Sequence, residues 1–560
     1  MAESEARRSQ ADRMILLALN QDIRLFCDQR EDPYIRIPIG DHYRTLRVRS
    51  GFVKSWLAGL LWAAEEKAPG SEAIQSALNV LKAKCYESPV IPLYNRVATN
   101  PAGDGLYIDM TDDSWRAIQV TKENWRVDWH PPILFRRYSH QKALPEPVRG
   151  GSAAHLLDFT NIRNEAERLL FTVTVITSFI PNIPHIVMVL YGPQGSGKTW
   201  TLRAARRVVD PSILDVLTLP RRQRELVQNL DHHYCAFYDN VGRIPSWVSN
   251  VLCRAVTGSG VSKRRLYSDD DDVIYEYHRC CGLTDISVAA ERGDLLERSI
   301  LLGLDAISKV DRRTEEEMRI MLEESAPSIL GGILDVLVKA QKIYPQVELH
   351  ELFRMADYTK WGYAVTEAMG LDPEDFIKAY RDNVNLQYLE AVRASPIADV
   401  LITFMELMTD GTWEGTVSQL WTALQNMASQ LKISTKQKAW PKNSKILSRR
   451  LNELSPSLPA IGIELNRGYR GKSRIISINV SGDVGIDGAT DDTDDTAHIR
   501  GSFSKDETQP LQDGPNYPPD ATGICADCNQ PITNGSTILW KGRDRLCTRC
   551  AGFRKKMRER

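Results

Sequence analysis

The stretch Tyr191–Trp200, "YGPQGSGKTW", decides the fold. It follows "HIVMVLY", an apolar run that reads as a buried strand, and it precedes a helical pattern. Gly192, four residues, then Gly197-Lys198-Thr199 is the spacing of a phosphate loop between a strand and a helix. Glycines let successive backbone N–H groups turn toward a phosphate, and the helix N-terminus adds partial positive charge. Gly192, Pro193, Gln194, Gly195, Ser196 and Gly197 are therefore expected to cradle a nucleoside triphosphate. Lys198 is expected on its β- and γ-phosphates, and the Thr199 hydroxyl on Mg²⁺.

Such a site needs a second strand ending in a carboxylate for the magnesium shell. "YCAFYDN" (234–240) supplies it in Asp239. Asn240 stands where many ATPases of this kind carry Glu; an amide can orient a water but cannot accept its proton.

The chain has 560 residues, enough for several domains, with 71 Lys and Arg against 72 Asp and Glu. Its start, "MAESEARRSQADR", lacks the apolar run of a signal peptide, and "LLFTVTVITSFI" (169–180) is too short to span a bilayer. A cytoplasmic protein with no membrane partner is expected. Six of ten Cys are scattered and four lie at the C-terminus, a distribution that suits a reducing compartment and one metal site.

Residues 1–150 mix short strands with helical runs and read as an α+β accessory domain. Val53, Trp56, Leu57, Leu60 and Leu61 share one helical face, and Ser71 is placed to cap a second helix. "LPEPVRGGS" (144–152) reads as a linker. Residues 151–310 alternate strand and helix as an α/β nucleotide-binding core does, and 311–395 are helical. Asp109, Asp112 and Asp113 in "YIDMTDD" invite a two-metal reading, but a β-hairpin with a polar turn explains them better.

Residues 396–480 read as two helices, a basic helix and a hairpin. The segment 431–474 holds eleven Lys or Arg and two acids, Glu453 and Glu464. Three helices followed by a basic hairpin make a winged helix, with Lys442, Lys445, Arg449, Arg450, Arg470 and Lys472 facing duplex DNA. Residues 481–523 are acidic and rich in Gly, Pro, Ser and Thr, and are expected to be disordered. In 524–560, Cys525 and Cys528, then Cys547 and Cys550, repeat a two-residue spacing with eighteen residues between the pairs. That pattern predicts a structural Zn²⁺ in a Cys₄ ribbon with a basic tail.

After Asp239 come an amphipathic helix, "TGSG", the hairpin "VSKRRLY…VIYEYH" around "SDDDD", the strand "CCGL" ending at Thr284-Asp285, and Arg298 before a last apolar strand. This order resembles the superfamily 3 helicases of the AAA+ ATPases, found with phage and plasmid primases; the likeness covers roughly 186–305. The fold class it implies is an α/β phosphate-loop AAA+ core. It further implies a hexameric ring that grips single-stranded DNA through Lys263, Arg264 and Arg265. Thr284 would take the place of the Asn that senses the γ-phosphate. Arg298, with Arg292 second, would reach a neighbour's nucleotide. The expected function is an ATP-dependent DNA helicase or translocase of phage or mobile-element replication, with a primase or polymerase as partner. The alternatives are an ATP-switched initiator or adaptor and a transcription-regulating ATPase.

Overall fold

The structure is a computed structural model. It describes residues 8–480 except 243, 259–260, 265–271, 276–277, 289–292, 394, 437–439 and 472. The backbone alone is described for the strands 261–264 and 272–275, and for four short strands between 521 and 547. Met1–Gly485 and Ile486–Arg560 form separate units.

The chain begins with the antiparallel strands Arg24–Cys27, Pro33–Ile39 and His42–Arg47 and the helices Gln10–Leu19, Gly51–Glu65 and Ser71–Tyr86. Alternation along the second strand sends Ile35 and Ile37 into a core with Val53, Leu57, Leu61, Leu78 and Leu81. Trp56 and Leu60 pack at its margin. Ser50 caps the helix Gly51–Glu65 by accepting Val53 N at 3.3 Å. Ser71, expected as a cap, is instead the first helical residue, with Gly70 at the cap position.

Four antiparallel strands follow: Val97–Thr99, Gly105–Asp109, Ala117–Thr121 and Trp125–Asp128. Their Ile108, Ile118, Val120 and Trp125 share one core with Leu156, Phe171, Leu330 and Tyr380. A buried ion pair, Arg96 to Asp210 at 2.9 Å, ties these strands to the end of the phosphate-loop helix. Asp210 also accepts Cys235 N at 3.0 Å, so its charge is neutralised and its lone pairs are used.

The stretch 144–152 is a packed strap as well as a connection. A Cβ on Gly331 would lie 1.7 Å from Val148 O, and one on Gly151 would lie 1.8 Å from Ser328 O. Gly150 N donates to Asp335 Oδ2 at 3.1 Å, and Asp335 Oδ1 accepts Trp125 Nε1 at 2.7 Å. Gly151 and Gly331 thus permit backbone-to-backbone contact between the strap and the long helix Glu315–Ile343.

The central sheet is parallel, in the order Cys235–Tyr238, Cys280–Asp285, Val187–Tyr191, Ser299–Gly303. Its strands are apolar on both faces because helices cover both. The edge strand Ser299–Gly303 is closed by side chains. Asn383, on the helix Pro373–Arg393, accepts Leu301 N at 2.9 Å and donates to Leu301 O at 2.7 Å. Gln387, one turn on, donates to Ser299 O at 2.7 Å. Glu167 accepts Gly303 N at 2.8 Å. Four outward ladder groups of the edge, Ser299 O, Leu301 N and O, and Gly303 N, are thus satisfied without another strand.

Residues 396–480 carry their own core, from Ile397 to Ile478. Helices Pro396–Glu406, Val417–Gln430 and Ser444–Leu454 pack on an antiparallel sheet ordered Thr412–Gly415, Ser473–Val480, Ile463–Arg470. Leu447, Leu451 and Leu454 point inward, as their spacing predicts. In the second unit, Ala521–Ile524 pairs with Pro531–Thr533, and Thr537–Trp540 with Asp544–Cys547. Of the segment 481–523 expected to be disordered, 481–520 lies outside the described residues, and 521–523 instead belong to the strand Ala521–Ile524. Among the described residues no helix is long and apolar enough to cross a membrane.

Asn383→Ala removes both partners of Leu301. Each buried peptide group left unmatched costs about 1–3 kcal/mol, so the edge should lose on the order of 2–4 kcal/mol. Urea unfolding should show it, with faster amide exchange confined to 299–303. An unchanged midpoint with unchanged exchange would contradict the edge-closing role.

Candidate functional site

The phosphate loop joins Val187–Tyr191 to the helix Lys198–Val209. Gly192 has φ 143°, Gly195 77° and Gly197 85°, conformations that L side chains rarely adopt. A Cβ on Gly192 would sit 2.1 Å from Leu304 O, so only glycine fits. Lys198 folds back over the loop. Its Nζ donates to Gly192 O at 2.7 Å, Pro193 O at 2.6 Å and Ser196 Oγ at 3.1 Å. Burial lowers the pKa of this ammonium, while Asp239 and Asp285 oppose the shift. Ser196 is buried; Pro193, Gln194 and Gly195 are exposed at the crest of the loop.

Three strands bring the remaining groups to the same end of the sheet. Thr199 Oγ1 donates to Asp239 Oδ1 at 2.7 Å. Thr284 Oγ1 donates to the same oxygen and accepts Asn240 N at 2.9 Å. Parallel register makes this possible: Leu190 pairs with Thr284, and Tyr238 with Leu283. Lys198, Thr199, Asp239, Asn240 and Thr284 therefore meet in one place. Thr199 and Asp239 present hard oxygen donors side by side, a set suited to Mg²⁺.

Asn240 has φ 51° and is exposed. Asn tolerates the left-handed region better than Glu, which gives a backbone reason for an amide here. Arg298 lies elsewhere. Its carbonyl accepts Val187 N at 2.8 Å, at the start of the strand whose far end carries the loop. Five residues of parallel strand, roughly 16 Å, separate the two levels. Arg298 Nη1 donates to Asp294 O at 2.6 Å. It cannot serve its own chain's loop from there. Arg292 lies outside the described residues.

Three residues beside the loop carry no motif. Asn161 Nδ2 donates to Ser196 O at 3.2 Å and to Asp305 O at 2.7 Å, tying the loop to the segment after the edge strand. That segment also supplies Ile307 N, 3.2 Å from Gly195 O. Arg312 Nη2 lies 3.5 Å from the point where a Cβ on Gly195 would stand, which puts an exposed cation in cis at the loop. Glu167 sits where the edge strand ends. Burial pushes its carboxyl up to about 7 against the Gly303 hydrogen bond, with Asp305 adding to the rise. Burial and Glu167 push Tyr191 up to about 12.

Asp109, Asp112 and Asp113 form no open carboxylate cluster at the described atoms. Asp109 is paired with Arg137 at 2.5 Å and Asp112 with Arg116 at 2.5 Å.

Of the residues expected on DNA, Lys263 and Arg264 lie on Val261–Arg264, antiparallel to Asp272–Tyr275. Arg265 and the tip of that hairpin lie outside the described residues, as does Lys472. Lys442 and Lys445 are exposed at the start of the helix Ser444–Leu454. Arg449 and Arg450 share Glu453, at 3.4 and 3.1 Å, and Arg470 meets Glu414 at 3.3 Å. Cys547 ends a described strand; Cys525, Cys528 and Cys550 lie outside the described residues.

Residues 153–387 match the family described as the actinomycete integrative conjugative element replication protein. Residues 397–491 match the C-terminal domain of the same RepA. The chain matches a mobile-element replication protein. The two matched regions run in tandem and take in the phosphate loop, the Asp239 strand and the basic helix. Comparison with the curated proteins finds no match. Among solved structures, the chain is similar to the apo NrS-1 C-terminal region, at 10% identity over 85% of this chain and 100% of that one, with a TM-score of 0.38. It is also similar to JCV helicase, at 14% identity over 40% of this chain and 65% of that one, with a TM-score of 0.22.

The Glu167 shift has a pH signature. Its folded pKa stands above the ordinary 4.5, so its contribution to stability is present below 4.5 and is lost as pH rises through about 7. Glu167→Gln keeps an acceptor for Gly303 N and never ionises. Its melting temperature relative to the parent should therefore rise between pH 5 and pH 8. A difference that does not change with pH would contradict a buried, strained carboxylate.

Proposed function

We propose that this chain is an ATP-driven DNA translocase acting as a helicase in replication of its mobile element. The observation that carries the reading is the meeting of Lys198, Thr199, Asp239 and Thr284 at one end of a parallel sheet. In this reading the loop amides and Lys198 bind the β- and γ-phosphates of ATP, and Thr199 and Asp239 hold Mg²⁺. The ion would neutralise charge on the transferring phosphoryl group. Asp239 keeps Thr199 and Thr284 in register for that role. Asn240 positions a water through its amide.

Arg298 fits a ring, because the opposite end of the sheet can meet a nucleotide only in a neighbouring copy. We take the ring to be a hexamer. Lys263, Arg264 and Arg265 would hold single-stranded DNA by neutralising phosphates. The 396–480 region, read as a winged helix, would bind duplex through Lys442, Lys445, Arg449 and Arg450. Cys525, Cys528, Cys547 and Cys550 would hold one structural Zn²⁺; the antiparallel pairing of Thr537–Trp540 with Asp544–Cys547 supports a ribbon. A primase or polymerase is the expected partner.

Asn240 supports a second reading. Without an acid at that position, ATP can act as an assembly switch for an initiator, with slow hydrolysis as reset. Strand displacement on a forked duplex separates the two: unwinding supports the translocase, and ATP-dependent assembly without unwinding supports the switch.

Purified protein should hydrolyse ATP, and single-stranded DNA should stimulate it. Lys198→Ala should lower turnover by at least 100-fold, roughly 3 kcal/mol of lost charge stabilisation. A Lys198→Ala protein that hydrolyses ATP at the parent rate would overturn the site assignment.

A further inference from the structure

The hairpin Ile463–Arg470 and Ser473–Val480 is longer than the body that supports it. It pairs at all eight positions, from Ile463 with Val480 to Arg470 with Ser473. The third strand of the sheet covers only Ile476–Asn479. The described residues from 466 to 474 are exposed, whereas Ile463, Ile476 and Ile478 at the base are buried. A two-stranded arm therefore projects from the domain.

Tyr469 stands near the end of this arm and is 67% exposed. Period-two alternation puts it on the face shared with Arg467. Arg467 reaches the basic helix Ser444–Leu454, donating to Ser448 Oγ at 3.1 Å and Ser448 O at 3.2 Å. The ring thus lies on the helix side of the arm, beyond the part that the helix covers. Arg474, its cross-strand partner, donates Nε to the Tyr469 hydroxyl at 2.9 Å and places its guanidinium 5.7 Å from the ring centroid. Arg474 thus holds the hydroxyl and stands over one side of the ring, which is otherwise open to solvent.

We propose that Tyr469 stacks on an exposed base where duplex DNA gives way to single strand, while the basic helix holds the adjoining duplex. The inference rests on the reading of 396–480 as a DNA-binding region. Phosphate contacts need only cations, which Lys445, Arg467 and Arg474 supply; an aromatic face adds something only where a base has an uncovered face. Inside a continuous duplex both faces of each base are already stacked. At a junction or an unpaired end one face is free. Stacking is tolerant of sequence, so the arm recognises the form of the DNA and not its base order.

The test uses the full chain and three probes: a relaxed, covalently closed circular duplex with no unpaired base, a fork of the same sequence with 2-aminopurine at the junction, and a single strand. The parent protein should prefer the fork to the closed duplex and quench the 2-aminopurine. Tyr469→Ala should weaken fork binding by about tenfold, with closed-duplex binding within about twofold of the parent. Quenching should disappear with it. Tyr469→Phe, which drops the hydroxyl bond to Arg474 but keeps the ring, should behave as the parent. Tyr469→Ala with intact fork preference and quenching overturns the inference while leaving DNA binding in place. Equal losses on all three probes in both variants also overturn it, in favour of a structural Tyr469–Arg474 pair. If the parent binds none of the probes, the DNA-binding reading falls, and the inference falls with it.

Discussion

One carboxylate oxygen organises the centre of this molecule. Asp239 Oδ1 accepts hydroxyls from Thr199, on the phosphate-loop helix, and from Thr284, on the strand between. Both bonds require three parallel strands to end at one level, with the Thr284 strand inserted between the other two. A slip of one residue in any of them would turn its side chain to the opposite face. The fixed register and the positive φ of three loop glycines together place a lysine, two hydroxyls and a carboxylate around one space. The space is made by backbone geometry; the side chains finish it.

The rest of the fold holds that sheet in place. Its edge strand is closed by Asn383, Gln387 and Glu167 from two helices, so the helical region is keyed to the sheet by amide and carboxylate groups as well as by apolar packing. Buried polar groups of this kind define one seating of the helices, because any other leaves peptide groups unmatched. The same end of the edge strand continues into the segment that touches the phosphate loop directly through Ile307 N and, by way of Asn161, through Asp305 O. The loop is therefore in direct hydrogen-bonded contact with the elements that surround it.

Local patterns made much of this legible. The loop, the Asp239 strand, the helix Ser246–Thr257 ending at Gly258 and the inward leucines of Ser444–Leu454 follow from spacing alone. The residues that escaped are those whose meaning depends on distant partners. Asn161, Glu167 and Arg312 carry no motif; each matters because folding places it beside the loop or its strand. Gly150 and Gly151 look like linker glycines in sequence, yet Gly151 serves close backbone approach to a helix nearly two hundred residues away, and Gly150 donates its N–H to Asp335 on the same helix. Ser71 has the residue type of a cap but not the position, because Gly70 takes the extended conformation there. Arg298 is singled out in sequence only by its order along the chain; the fold places it at the opposite end of the sheet from its own phosphate loop.

In the proposed function Thr199 and Asp239 form the metal face of a nucleotide site. This role is tested most directly by titrating a fluorescent ATP analogue with and without Mg²⁺, in the parent and in Asp239→Ala. Mg²⁺ should tighten binding in the parent, and Asp239→Ala should lose this increment while retaining metal-free binding through the loop amides and Lys198. An equal Mg²⁺ increment in both proteins would contradict this role.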